Sequence, residues 1–229
     1  MPRNALIYGW AIIATGIAVL VCALASPVSL GPDFFACLAL ASLAATFKMK
    51  LPKLTTTISP AFVFVLVSVA TLSWSQTVLI SAASALVQCL WHPKKRPTWL
   101  QLAFNAAAMA IVGGAAHAVT GLLTVKGGTD VLVVALGAAG VTLLMGNTLI
   151  VSTILCLLKE APFMTVWRSV QLWMVPYYLA GGALANVWAR AQLTPFSGVI
   201  ILAPLSVYLL SVGAGEVVKT TLQTPRRAS

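Results

Sequence analysis

Four acids and two histidines are all this chain offers for acid–base chemistry: Asp33, Asp130, Glu160, Glu216, His92 and His117. Two carboxylates facing each other inside a membrane span would support peptide-bond hydrolysis or a proton relay. Here every acid lies at or beyond the end of an apolar run, so no such pair is expected. The histidines lack His-Glu-x-x-His spacing and neither has a carboxylate beside it. A site built only from neutral groups would be unusual for a metal ion. Nucleophile-elbow, Walker and dinucleotide-binding glycine patterns are missing as well. The sequence therefore predicts no catalytic residue, no metal and no cofactor. Cys22, Cys37, Cys89 and Cys156 show no Cys-x-x-Cys spacing and read as small apolar packing residues. Cys22 and Cys37 flank one loop, so a disulfide in an oxidising exterior is the alternative.

What remains is a set of polar side chains standing inside long apolar runs. Asn105 and His117 share one run, Asn147 and Thr142 the next, and Gln171 and Tyr177 the one after. Polar groups at such positions either bond helix to helix, for about 1 kcal/mol or less per pair, or line a site for a ligand. The ligand reading predicts a pocket between these three runs, lined by Asn105, His117, Asn147, Gln171 and Tyr177. Pro176 removes a backbone donor and can kink the helix beside it. Gln88 and Gln101 flank a basic loop and are expected to be solvated.

The elements that must carry these residues follow from composition. The chain has 229 residues, 60% of them hydrophobic and only 8% charged, with mean hydropathy +0.98. A soluble domain cannot cover so much apolar surface with so few charges, and disorder needs low hydrophobicity. Eight apolar runs can be drawn: 5–25, 34–47, 60–72, 77–91, 99–123, 131–158, 170–189 and 197–212. Runs two to four are short for a membrane crossing, which takes about 20 residues. They are expected to tilt or to form half-helices inside a bundle. The tetrapeptide at 73–76 reads as a tight turn, and Gly146-Asn147 as a weak point in run six. Ala106, Ala110, Gly114 and Ala118 recur every fourth residue in run five, which places that run at the centre of the packing.

Charge fixes the orientation. The net charge is +10, from 14 basic and 4 acidic residues. If all eight runs cross and the N-terminus is inside, twelve Lys and Arg lie inside; only Lys126 and Arg190 lie outside. This bias accounts for Lys94-Lys95-Arg96 and for Arg226-Arg227 without a nucleic acid partner. Trp91 and Trp99 flank the inner basic loop, and Trp74 and Trp188 are expected near the outer edge, as interfacial aromatic belts. Arg3 followed by an apolar stretch and Ala23-Leu24-Ala25 has the outline of a signal peptide, but the stretch exceeds the usual length of about 7–15 residues.

The order of features resembles the multi-pass N-terminal membrane sensor region found ahead of diguanylate cyclase and HD-type cyclic-di-GMP phosphodiesterase domains in bacteria. The residues that carry the resemblance begin with Phe47-Lys48-Met49-Lys50-Leu51-Pro52 and Ser59-Pro60-Ala61-Phe62. Leu86-Val87-Gln88, Phe104-Asn105, Asn147-Thr148-Leu149 and Trp167 through Pro176-Tyr177 continue it, over roughly 31–212. Those sensor regions continue into a cytoplasmic output domain, whereas about sixteen residues follow run eight here. The resemblance implies a sensing module without cyclic-di-GMP catalysis, either free-standing or cut from a longer protein.

Together these features predict an all-α polytopic integral membrane bundle of seven or eight transmembrane or partly re-entrant helices. The bundle spans 1–213, with a short basic tail at 214–229 and both termini cytoplasmic, in a bacterial inner membrane. Its expected partners are the lipid bilayer, a small-molecule ligand and a separate cytoplasmic signalling or ATPase protein. The leading function is a sensory or small-molecule-binding membrane module. A transporter or the membrane substrate-binding subunit of an importer is the second, although the internal repeat symmetry of transporters is not visible. A structural assembly protein is the third.

Overall fold

The computed structural model describes residues 2–28, 30–47, 49–50, 57–91, 93, 96–125, 131–159, 163–164, 167 and 175–191. Among them are seven helices: α1 (Arg3–Ala25), α2 (Pro32–Thr46), α3 (Ala61–Thr71), α4 (Trp74–Leu90), α5 (Trp99–Thr124), α6 (Val131–Lys159) and α7 (Val175–Arg190). Between α2 and α3 lies a short antiparallel ladder, β1 (Met49–Lys50) and β2 (Thr57–Ile58), with Met49 opposite Ile58 and Lys50 opposite Thr57. The sequence reading had no strand in this polar stretch. The eighth apolar run, 197–212, lies outside the described residues, as does the polar tail.

Three helices are long and apolar enough to cross a membrane: Arg3–Ala25, Trp99–Thr124 and Val131–Leu158, with mean hydropathy 2.2, 1.7 and 2.1. The length and composition of these helices are those expected of a helical membrane protein. At 11 residues, α3 is about 16 Å long, roughly half of a 30 Å hydrocarbon core. It is also enclosed by protein, with Val65, Leu66 and Val67 at most 1% exposed.

Local signals set the helix ends. Ser73 and Thr98 cap α4 and α5 with matching capping boxes. Each hydroxyl accepts from the backbone N–H of the glutamine three residues on, Gln76 or Gln101. Each glutamine Oε1 in turn accepts from the cap residue's N–H, at 2.9 and 3.0 Å. The expected turn at 73–76 is therefore only its first residue; Trp74, Ser75 and Gln76 are already helix. Pro32 opens α2, where its missing N–H costs nothing. No break occurs at Gly146-Asn147, because α6 runs continuously from Val131 to Lys159. Gly146 is instead a close-approach residue: a Cβ there would stand 2.9 Å from Val112 Cγ2 on α5.

Helices consecutive in sequence run antiparallel, whereas α1 and α5 pack side by side in parallel. The starts of α1 and α5 share one end with the finish of α6, and the start of α3 shares it with the finishes of α2 and α4. α5 is the hub, packed against α1, α3, α4 and α6. Its Ala106 and Ala110 are buried with Ala23 of α1 and Val78 and Ala82 of α4. The small-residue ridge continues to the buried Gly114 but stops before Ala118, which is exposed. A second cluster joins Phe62, Val65 and Leu66 of α3 to Val112 of α5, Leu136 and Leu143 of α6 and Ala185 of α7. Trp99 is 87% exposed, as an interfacial residue should be. Trp74 and Trp188 turn inward instead. Trp74 Nε1 donates to the Gly114 carbonyl at 3.1 Å, and Trp188 packs on the second cluster. The four cysteines are free thiols; Cys37 is buried against Phe34, Ala41 and Ile80, while Cys22 is exposed.

Candidate functional site

The sequence placed five side chains around one pocket. The structure puts the three it describes in three places. Asn105 and His117 lie twelve residues apart on α5, about 18 Å along the axis, so one small pocket cannot hold both. The Asn105 amide donates to Cys89 Sγ of α4 at 3.2 Å. His117 Nε2 is 3.1 Å from the Leu72 carbonyl at the end of α3. A carbonyl can only accept, so this nitrogen carries the proton. Thr142 is occupied as well, donating to the Ala138 carbonyl in its own helix at 2.8 Å. Gln171 lies outside the described residues. Tyr177 falls in the first turn of α7, and its side chain lies outside the described residues.

Asn147 is the member that meets a cavity. Five helices converge there: the start of α3 (Ser59, Ala61, Phe62, Val65), the end of α4 (Ser84, Ala85, Gln88), Met109 of α5, Asn147 of α6 and Tyr178 of α7. The enclosed volume is about 90 Å³. A water needs about 10–15 Å³ on this measure, so several waters or one small molecule fit.

The walls are fixed by packing. Phe62 and Tyr178 stack with centroids 4.4 Å apart and planes 26° from parallel. Gly181 leaves the room that the Phe62 ring fills, since a Cβ at that position would overlap it. Ser59 is spent on the backbone: its hydroxyl donates to the Ala44 carbonyl at 2.9 Å and accepts from the Ala61 N–H at 3.3 Å. The Ser84 hydroxyl donates to the Ser81 carbonyl at 2.9 Å and keeps an accepting lone pair.

The other polar groups are different. The Asn147 and Gln88 amides and the Tyr178 hydroxyl make no hydrogen bond to a described residue. Asn147 and Gln88 are half-buried, with polar atoms open to the cavity. These groups therefore favour an occupant that supplies donors and acceptors. The described residues that line the cavity are all uncharged.

Sequence reasoning reached Asn147, left out Ser84, expected Gln88 in solvent, and noted Tyr178 beside Tyr177 in an aromatic and amide cluster but put Tyr177 in the pocket. The correction for Gln88 is clear: it is half-buried at the cavity, while Gln101, read the same way, is exposed. A signal was present. Thr77, Ser81, Ser84 and Gln88 recur at spacings of four, three and four, which lays them along one face of α4. Thr77, Ser81 and Ser84 are at most 2% exposed, so this polar stripe faces protein. Thr77 Oγ1, at its far end, is buried with no hydrogen-bond partner among the described residues.

A second recess lies between α1, α5 and α6 at the same end of the bundle. It is larger, about 210 Å³, and almost wholly apolar. Gly9, Leu100, Phe104, Val151, Ile154, Leu155 and Leu158 line it, with Gln101 and Asn105 as its polar members. Among the described residues no cluster of three or more His, Cys, Asp or Glu forms a metal site. Set against protein-family models, curated proteins and solved structures, the chain matches none of them.

Proposed function

We propose that this chain is a multi-pass helical protein of a bacterial inner membrane that binds a small neutral polar molecule and reports its presence to a separate partner. The binding site in this proposal is the cavity among α3, α4, α5, α6 and α7. The carrying observation is that two amides and a phenol, Asn147, Gln88 and Tyr178, face one cavity without bonds to described residues. Seven or eight transmembrane or partly re-entrant helices carry it in this reading; the twelve-to-two charge bias puts the basic end in the cytoplasm and is the same whether or not α3 and α4 cross fully. In this arrangement α3 and α4 form a hairpin whose short first arm stays inside the protein, and the cavity lies toward the cytoplasmic end. Ligand would bridge α4, α6 and α7, so a shift of α7 relative to α6 is the movement that a partner would read.

The test has two stages. The purified full chain in lipid nanodiscs is screened by thermal shift against neutral polar solutes of up to about five heavy atoms, including small amides, diols and five-membered heterocycles. The expected result is a solute that raises the unfolding temperature of the wild type and leaves an Asn147→Leu, Gln88→Leu double variant unmoved. The unliganded variant should fold with a stability close to the wild type's, because neither amide gives up a hydrogen bond to a described residue. An equal shift in both proteins would remove the cavity from consideration. Saturable uptake of the same solute into proteoliposomes would turn the reading toward transport.

A further inference from the structure

The apolar recess between α1, α5 and α6 has a property the polar cavity lacks. Gly9 is buried on its wall, yet among the described residues no atom of another element lies within 4 Å of where a Cβ would stand. Space inside a bundle is normally filled, and a cavity of about 150 Å³ lined by Leu, Ile and Phe already takes up a benzene molecule. At about 210 Å³ this recess is larger, and its walls are Leu, Ile, Val and Phe. Asn105, one of its two polar members, is already bonded to Cys89.

The mouth is basic. Arg3 is exposed six residues ahead of Gly9 on α1, about 9 Å along the axis. Arg96, also exposed, stands four residues ahead of Leu100. Trp99, the most exposed large hydrophobic residue described, and Trp10, beside Gly9 and 59% exposed, frame the same end with rings suited to headgroup depth.

From this pairing of an apolar slot with a basic rim we infer that the recess is a binding site for an anionic phospholipid. One acyl chain lies along Phe104, Val151 and Ile154, and the phosphate sits against Arg3 and Arg96. A protein segment would bring backbone amides that this apolar wall cannot satisfy, whereas an acyl chain brings none. The inference rests on the chain being embedded in a bilayer and is independent of the solute proposed for the polar cavity.

Native mass spectrometry of the detergent-solubilised full chain tests it, using palmitoyl-oleoyl phosphatidylglycerol and the corresponding phosphatidylcholine as probes. Each arginine near an anionic group contributes about fivefold in affinity. Phosphatidylglycerol should therefore bind on the order of 10- to 30-fold tighter than phosphatidylcholine, and Arg3→Gln with Arg96→Gln should abolish that preference. Gly9→Leu should fill the slot and remove the tight adduct without lowering the unfolding temperature, since its Cβ enters open space. Val151→Phe, from the opposite wall, is a second plug should the first fail to fold. Equal binding of the two lipids by the wild type, or a tight adduct that survives a folded plug variant, overturns the inference. The solute thermal shift, read on the plug variant, is expected to be intact; that separates this site from the polar cavity.

Discussion

The α6–α7 crossing offers a quantitative test of how the cavity is held. Two glycines face backbone across it: a Cβ on Gly140 would stand 3.0 Å from the Tyr178 carbonyl oxygen, and one on Gly182 would stand 3.1 Å from the Leu136 oxygen. Ordinary C···O contacts fall at about 3.3–3.6 Å, so Gly140→Ala forces the helices apart by a few tenths of an ångström. The obstacle is backbone and cannot rotate away. Overpacking of this kind costs about 1–3 kcal/mol, while Ala gains about 1 kcal/mol over Gly in a helix interior. The net for Gly140→Ala is then a loss of about 0–2 kcal/mol. Gly137, three residues earlier on the same helix, has nothing within 4 Å of its Cβ position. Gly137→Ala collects the helical gain with no packing cost and should stabilise by about 0.5–1 kcal/mol. The difference between the two variants cancels propensity and isolates packing, at about 1–3 kcal/mol. Thermal unfolding in one detergent, followed by tryptophan fluorescence, measures both. Because Tyr178 sits on the cavity wall, Gly140→Ala should also weaken solute binding, whereas Gly137→Ala should not. Equal unfolding temperatures for the two variants would refute the close crossing.

Three further outcomes are expected. Ser73→Ala removes the cap of α4 and should destabilise by about 1 kcal/mol, seen as a lower unfolding temperature that Ser73→Asp largely restores. His117→Phe keeps a ring but deprives the Leu72 carbonyl of its donor, at a cost of about 1–3 kcal/mol; His117→Gln should recover part of it in the same melt. In a background lacking the native cysteines, Ser84→Cys should react with a small water-soluble methanethiosulfonate, and prior Met109→Trp substitution should slow that reaction at least tenfold by filling the cavity.

Where helices begin was legible because the determinants are local. Ser73 and Thr98 each precede a glutamine by three residues and open an apolar run, a spacing with a defined hydrogen-bond meaning. Trp74 was assigned to a turn only because its neighbours are polar; with the capping box recognised, the same letters read as a first helical turn. The centrality of α5 was likewise written in Ala106, Ala110 and Gly114, since small residues permit close approach on whichever side they face. Which way each polar residue points was not legible. Helices apolar all round have no strong face, so nothing local told Asn105 from Asn147. Four neighbours surround α5, and that places Asn105 toward α1 and α4 while Asn147 of α6 faces the cavity beside α3. The register of α7 against α6 decides that Tyr178 reaches the wall. That register comes from the Gly140 and Gly182 contacts, which are tertiary. The ladder of Met49–Lys50 with Thr57–Ile58 was missed because two-residue strands carry no periodic signal.

The position of α5 also sets a clock on biogenesis. The small-residue face of α1 closes on α5, with Gly16 against Ala107 and Ala23 beside Ala110. Ninety-nine residues separate the end of α1, Ala25, from the end of α5, Thr124. At about 5–20 residues per second, α1 waits roughly 5–20 s for the surface it is shaped to fit. Over that interval its Gly9, Ile13 and Gly16 face lies against lipid or against the insertion machinery. A nascent chain arrested after α4 would hold α1 with only part of its seat built, whereas release after α5 would let the first helix dock. Synthesis arrested at those two lengths should thus give a protease-sensitive and a protease-resistant α1, respectively.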